Sequence, residues 1–283
     1  MNQLVRALGK DKILSGNLFL VLPALLFLLT IYVYPLAKMI LMSLFDPDFT
    51  LKHYQEFIST SVYIKVFYNT IKISFFSTLI CLVVGYPVSF LLASVSPKTR
   101  GLMIIFVIIP FWISLLVRNY AWMVLLGRNG IFNSMLLELG LISAPLKLMY
   151  NAFGMYVGMV HILLPYMIFP MFAVMSGIDW DLIRASRSLG ANAFQTFIRV
   201  YLPLSIKGIS AGCLIVFILA IGFFITPALL GGLKEIMISN VIENQVSNLL
   251  NWGFGSALAF ILLTVAVLMI IGFKKYLFLE ELK

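Results

Sequence analysis

The chain has 283 residues, 62% of them hydrophobic and 11% charged, with a mean hydropathy of +1.05. Soluble domains run at roughly 45–50% apolar and about 25% charged, so a soluble globular protein is excluded. The net charge of +9 does not point to nucleic acid, because most charges sit between long apolar segments and report membrane topology instead. The two cysteines, Cys81 and Cys213, lie inside apolar stretches and read as small buried hydrophobes, so no disulfide framework or metal cluster is expected.

A membrane-crossing helix needs about 20 mostly apolar residues, and six stretches meet that length. The first covers residues 18–37 and is closed by Lys38; the second covers 73–97, between Lys72 and Lys98. The third covers 101–127, with Arg118 as the one charge inside it. The fourth is charge-free over 148–178, the fifth over 208–233, and the sixth covers 252–273. The first is too long for a cleavable signal peptide and no small-residue cleavage site follows it. In the fourth, Gly154 and Gly158 have the spacing that permits close helix packing, and Pro165 and Pro170 predict local breaks in the backbone ladder.

Six spans put both termini on one side. With the termini inside, the inner segments hold 12 basic and five acidic residues, and the outer ones eight and six. The positive-inside rule therefore places both termini in the cytoplasm. One inner segment, 179–207, is neither a short turn nor a domain. Asp181 predicts a helix N-cap there, and Gly190 a left-handed C-terminal residue. Asn192 and Gln195 predict a capping box for a second helix, with Pro203 near its end or returning to the membrane. No fixed-period repeat or low-complexity linker interrupts the chain, so 1–283 is expected to be a single transmembrane domain.

Ala185, Ser186, Leu189, Gly190, Ala191, Leu202 and Pro203 resemble the "EAA" loop of bacterial ABC importer permeases, with Arg184 where that family has Glu and Ser186 where it has the second Ala. The stretches 110–122, 130–133, 163–170, 49–54 and 222–232 are similar to permease subunits of the spermidine/putrescine type. The resemblance implies an all-α integral membrane protein of the type I ABC importer permease fold, with six transmembrane helices and cytoplasmic coupling helices between the fourth and fifth. It implies as partners a cytoplasmic ABC ATPase dimer, a second permease subunit of sister type, a periplasmic or extracellular solute-binding protein and membrane lipid, in a bacterial inner membrane. ATP and Mg²⁺ then belong to the partner ATPase. The chain itself has no Gly-x-x-x-x-Gly-Lys-[Ser/Thr] loop, so no cofactor and no enzymatic activity is expected of it.

The implied solute is a polyamine or related organic cation. Burying ammonium groups requires carboxylates or aromatic faces, and no Asp or Glu falls inside the six spans. Phe223 and Ala228 stand where polyamine-carrying relatives often have acids. Candidate pathway residues are therefore Trp112, Trp122, Tyr166, Phe223, Phe224 and Thr226, with Arg118 and His161. Arg118 is either a pathway or subunit-contact residue or a snorkelling side chain. His161 either meets solute or is hydrogen-bonded within the bundle. An amino-acid-like, opine or organophosphonate solute stays open, as does a channel or secondary transporter. An intramembrane enzyme is excluded, since the sequence has no His-Glu-x-x-His and no paired intramembrane carboxylates.

Overall fold

The computed structural model describes residues 21–45 and 48–281. The predicted start of the first span and the basic residues before it lie outside these. Helix α1, Val21–Leu44, does not stop at Lys38 but carries it inside. A short α2, Lys52–Ser59, leads into α3, Ser61–Ser94, which is 34 residues long. That helix starts well before the predicted 73 and ends before Pro97, because Pro97 takes the first turn of the next helix behind its N-cap Ser96.

The third predicted span is two helices. Helix α4, Pro97–Trp112, and α5, Leu115–Leu126, meet at a bend of 98°. Ser114 has the extended backbone of an N-cap, φ −51° and ψ 140°, so one apolar run contains a stop and a restart. Arg118 therefore sits on the second arm, not deep within a straight span. Helix α6, Ile131–Glu138, follows.

The fourth span is α7, Ala152–Met175. It stays helical through Pro165 and Pro170, and each proline, having no N–H, leaves the ladder one bond short without ending the helix. Its N-terminal end is capped by the Asn151 side chain, which accepts from the Gly154 amide at 3.1 Å.

Helix α8, Trp180–Ser188, is capped by Asp179, whose Oδ1 accepts from the Asp181 amide at 2.9 Å. The cap is thus two residues earlier than predicted, and Asp181 instead faces the helix N-terminus from the first turn. Gly190 has φ +87°, and the Asn192–Gln195 capping box is present, both as predicted. Helix α9 then runs from Ala193 to Ile221 without interruption, so Pro203 lies inside a helix that returns to the membrane. The fifth span breaks at Gly222, short of the predicted 233. A short α10, Ile225–Leu230, and α11, Ile238–Glu243, precede α12, Trp252–Glu281.

Helix α7 is the axis of the molecule, packed on α3 and α9, which also pack on each other. Its buried row is Met155, Met159, Leu163, Met167, Met171 and Met175, all fully enclosed and four residues apart, so they form one ridge. The facing grooves are lined by Gly85 of α3 and by Gly208 and Gly212 of α9, where an added Cβ would press on Met167 or Met171. Unbranched thioethers fill such shallow grooves well. Helix α1 packs chiefly on α12, and α4 buries none of its own residues.

Candidate functional site

Two regions carry the predicted site residues. The first is the 179–207 loop. Helix α8 and the start of α9 are tied by a 3.0 Å hydrogen bond shared between Ser186 Oγ and Thr196 Oγ1. Ile183 is buried beneath them. Trp180, Phe197 and Phe90 surround Tyr201 at 4.9–6.3 Å between ring centres, and Tyr86 meets Phe197 edge-on at 5.8 Å. This aromatic knot fixes the loop to the C-terminal end of α3.

The tip is left bare. Leu189 is 89% and Phe194 71% exposed, and Arg184, Ala185 and Gly190 are exposed beside them, with Ala191 half-buried. Arg184 pairs with Asp181 at 3.2 Å, both side chains in solvent, an arrangement that adds little stability. Small residues flanked by two exposed apolar side chains give a surface into which another protein can pack closely. Phe194 was not legible as part of it, since a lone aromatic in a short amphipathic segment reads as a core residue. Leu202 is half-buried and Pro203 exposed, both at the root of the loop.

Immediately before Pro203 the helix carries a π turn, in which the Leu202 amide reaches back five residues to the Phe197 carbonyl. A proline ring clashes with the carbonyl four residues earlier, and the extra residue in the turn relieves that clash. The same pairing occurs in α1, where a π turn over Leu29–Val33 precedes Pro35.

The second region lies where α5 and α10 meet the N-terminal half of α7. Trp122 donates its indole N–H to His161 Nδ1 at 3.1 Å and stacks parallel on Phe132. A neutral His161 must then carry its proton on Nε2. Arg118 lies near His161 and Tyr166, and its Nε is buried with no hydrogen-bond partner among the described residues. Tyr166 meets Phe111 at 5.1 Å, and Trp112 beside it is 87% exposed at the bend. Arg118, Trp122, His161 and Tyr166 thus form one cluster, edged by exposed aromatics.

Thr226 lies at the same α5–α7–α10 junction. It is fully buried, and a Cβ on Gly158 would come within 2.8 Å of its methyl and 3.6 Å of Asn119 Oδ1. Asn119 and Thr226 each bury a polar atom with no partner among the described residues. Asn119 escaped sequence reasoning because a single amide in an apolar run carries no periodic signal.

Phe223 and Phe224 occupy the break after α9. Their carbonyls accept from Ser239 Oγ at 2.6 Å and Asn240 Nδ2 at 2.8 Å. Helix α11 is pinned in turn by α3, whose Thr70 Oγ1 accepts the Ile238 amide at 2.8 Å. Asn69 Nδ2 donates to the Lys234 and Ile236 carbonyls. These loop-holding polar residues satisfy backbone groups that the broken fifth span leaves open.

Above α10 is a cavity of about 920 Å³ whose wall includes Ala228, Gly232, Lys234, Glu235 and Glu243. The carboxylates missing from the spans are therefore present in the same cavity as Ala228. Glu235 also caps the turn below it, its Oε2 accepting from the Gly232 amide at 2.9 Å.

Comparisons with known proteins agree with this architecture. Residues 85–277 match the family model described as "Binding-protein-dependent transport system inner membrane component". The chain is 41% identical over 209 residues to the spermidine/putrescine transport system permease protein PotB of Haemophilus influenzae, covering 74% of this chain and 73% of that one. It is 39% identical over 223 residues to PotB of Escherichia coli, covering 79% and 81%. Among solved structures, a chain of a bacterial ABC transporter involved in the import of the acidic polysaccharide alginate superposes with a TM-score of 0.76 at 17% identity, covering 97% of this chain and 98% of that chain. The likeness in structure speaks to the fold alone.

Proposed function

Since the chain belongs to the family of binding-protein-dependent transport system inner membrane components, we propose that it is one permease subunit of a type I ABC importer that moves a polyamine such as spermidine or putrescine inward. The likeness to the spermidine/putrescine permeases over about three quarters of the chain carries the choice of solute. The chain forms a single permease domain, and both termini face the cytoplasm. The bare tip with Arg184, Ala185, Leu189, Gly190 and Ala191 then seats on the ATPase, which binds ATP and Mg²⁺ and does the hydrolysis. A sister permease completes the pathway, and a solute-binding protein delivers cargo to the outer cavity.

The chemistry of that route follows from the side chains. A polyamine is met at the outer cavity by Glu235 and Glu243, whose carboxylates offset the cost of removing water from its ammonium groups. Deeper, no carboxylate lies in the spans, and Arg118 repels a cation. Passage is therefore assigned to the exposed rings of Trp112, Tyr166 and Phe224, which offer cation–π faces, and to acids of the sister subunit. The half-buried Arg118 beside His161 favours a second reading, an amino-acid-like, opine or organophosphonate solute.

Uptake of labelled spermidine and putrescine by cells with and without this chain decides between them. Uptake that depends on the chain and resists unlabelled amino acids and organophosphonates is the expected result. Loss of polyamine uptake in a complex that still hydrolyses ATP would leave the permease role and overturn the solute.

A further inference from the structure

Hydroxyls inside an apolar helix are usually met by their own backbone. Thr70, Thr78, Ser89 and Thr264 each donate to the carbonyl four residues back, at 2.8–2.9 Å. Thr226 has no such carbonyl behind it, because α10 starts at Ile225 after the break at Gly222 and four residues back lies outside the helix. The residue is fully enclosed, and its hydroxyl has no partner among the described residues.

Asn119 of α5 carries the complement. Its Nδ2 donates to the Leu115 carbonyl at 2.9 Å, which leaves Oδ1 as a buried acceptor with no donor among the described residues. The two side chains meet over Gly158 of α7, where an added Cβ would lie 2.8 Å from the Thr226 methyl and 3.6 Å from Asn119 Oδ1. It is thus the methyl of Thr226 that faces this point, and one rotamer step about its Cα–Cβ bond brings the hydroxyl there instead. A bridging water does not fit at Gly158, since even a methyl would come within 2.5 Å of Leu230. An unmet donor and an unmet acceptor this close, each costly in an apolar interior, are one hydrogen bond drawn apart.

We propose that Asn119 and Thr226 are the two halves of a latch between α5 and α10, open in this structure and closed in the state that the partner ATPase drives. The latch joins the two parts of the site. Helix α5 carries Trp122, hydrogen-bonded to His161, and α10 carries Pro227 and Ala228 in the wall of the outer cavity. Closing the latch draws α10 toward α5 and so reshapes that cavity when ATP binds. The pairing stands on the junction alone; its link to ATP rests on the importer role proposed above.

Thr226→Val and Asn119→Leu, singly and together, test it in the complete transporter, with melting midpoints read at rest and after trapping with Mg-ATP and vanadate. At rest each variant removes one unmet polar group, so each midpoint rises by about 2–4 °C and the two rises add. In the trapped state the sign inverts: either single change breaks the bond and strands its partner, lowering the midpoint, whereas the double variant loses less than either. ATP hydrolysis, which passes through the latched state, falls about fivefold in each single variant. Thr226→Ser, which keeps the hydroxyl, restores it. Midpoints that fall at rest, or changes that add in both states, would overturn the latch. No solute enters these measurements, so they are independent of the polyamine assignment. A wild-type complex that vanadate fails to trap would count against the importer role, while the resting midpoints still read the junction.

Discussion

Gly158 shows how little freedom single positions have where three elements converge. A Cβ there would lie 2.5 Å from a Leu230 methyl and 2.8 Å from that of Thr226, so Gly158→Ala forces α10 away from α7. The expected cost is about 1–3 kcal/mol, read as a lower melting midpoint of the detergent-solubilised protein. Gly101→Ala is the control, because nothing lies within 4 Å of a Cβ at that helical position. It is expected to be neutral or to stabilise by up to about 1 kcal/mol through the better helix propensity of alanine. Arg118 differs in kind: its buried Nε lacks a partner among the described residues. A guanidinium kept in a membrane domain at that cost is the position to test first. Arg118→Ala is expected to abolish uptake while expression, measured by immunoblot of membranes, is unchanged.

At the scale of elements, the coupling of loop to membrane runs through α9. Because the helix is continuous from Ala193 to Ile221, a push on the loop tip reaches the core without crossing a flexible joint. The π turn before Pro203 is the one irregularity on that path. Pro203→Ala removes the ring clash that the turn relieves, so the helix can revert to regular α geometry and rotate the tip relative to the span. The expected phenotype is an assembled transporter whose ATP hydrolysis no longer rises with loaded binding protein, measured as phosphate release in proteoliposomes. Deletion of residues 185–191 is the harsher test. It removes the exposed small residues and Leu189, and the ATPase is expected to be absent when the deleted chain is affinity-purified. Retention of the ATPase would contradict the docking role.

For the whole molecule, the sequence predicted the spans that are long, charge-free and uninterrupted, namely the fourth and sixth, because length and hydropathy alone decide those. It misplaced the start of α3, since residues 61–72 continue the helix, packed on α2 and α11. A charge-free run that is cut at Lys72 cannot register that continuation. The bend after Trp112 and the break at Gly222 were hidden for a related reason: composition stays apolar across both, and at the second the open backbone carbonyls of Phe223 and Phe224 are satisfied by Ser239 and Asn240 from another segment. In the loop, Gly190 and the Asn192–Gln195 box were legible because caps are local chemistry. The Asn119–Gly158–Thr226 junction was not, because it is assembled from α5, α7 and α10.

The methionine ridge of α7 has a chemical consequence beyond packing. Thioethers convert to sulfoxides on contact with peroxide, and the product is polar and no longer fits an apolar groove. Met155, Met159, Met167, Met171 and Met175 are sealed from solvent by α3 and α9, whereas Met135 is exposed on the surface. Brief peroxide treatment followed by peptide mass spectrometry should therefore mark Met135 and spare the ridge in the resting protein. The ridge then serves as an internal dosimeter of core opening: sulfoxide appearing along it during turnover would mean that α7 parts from its neighbours, and continued protection would mean that the three helices travel as one body.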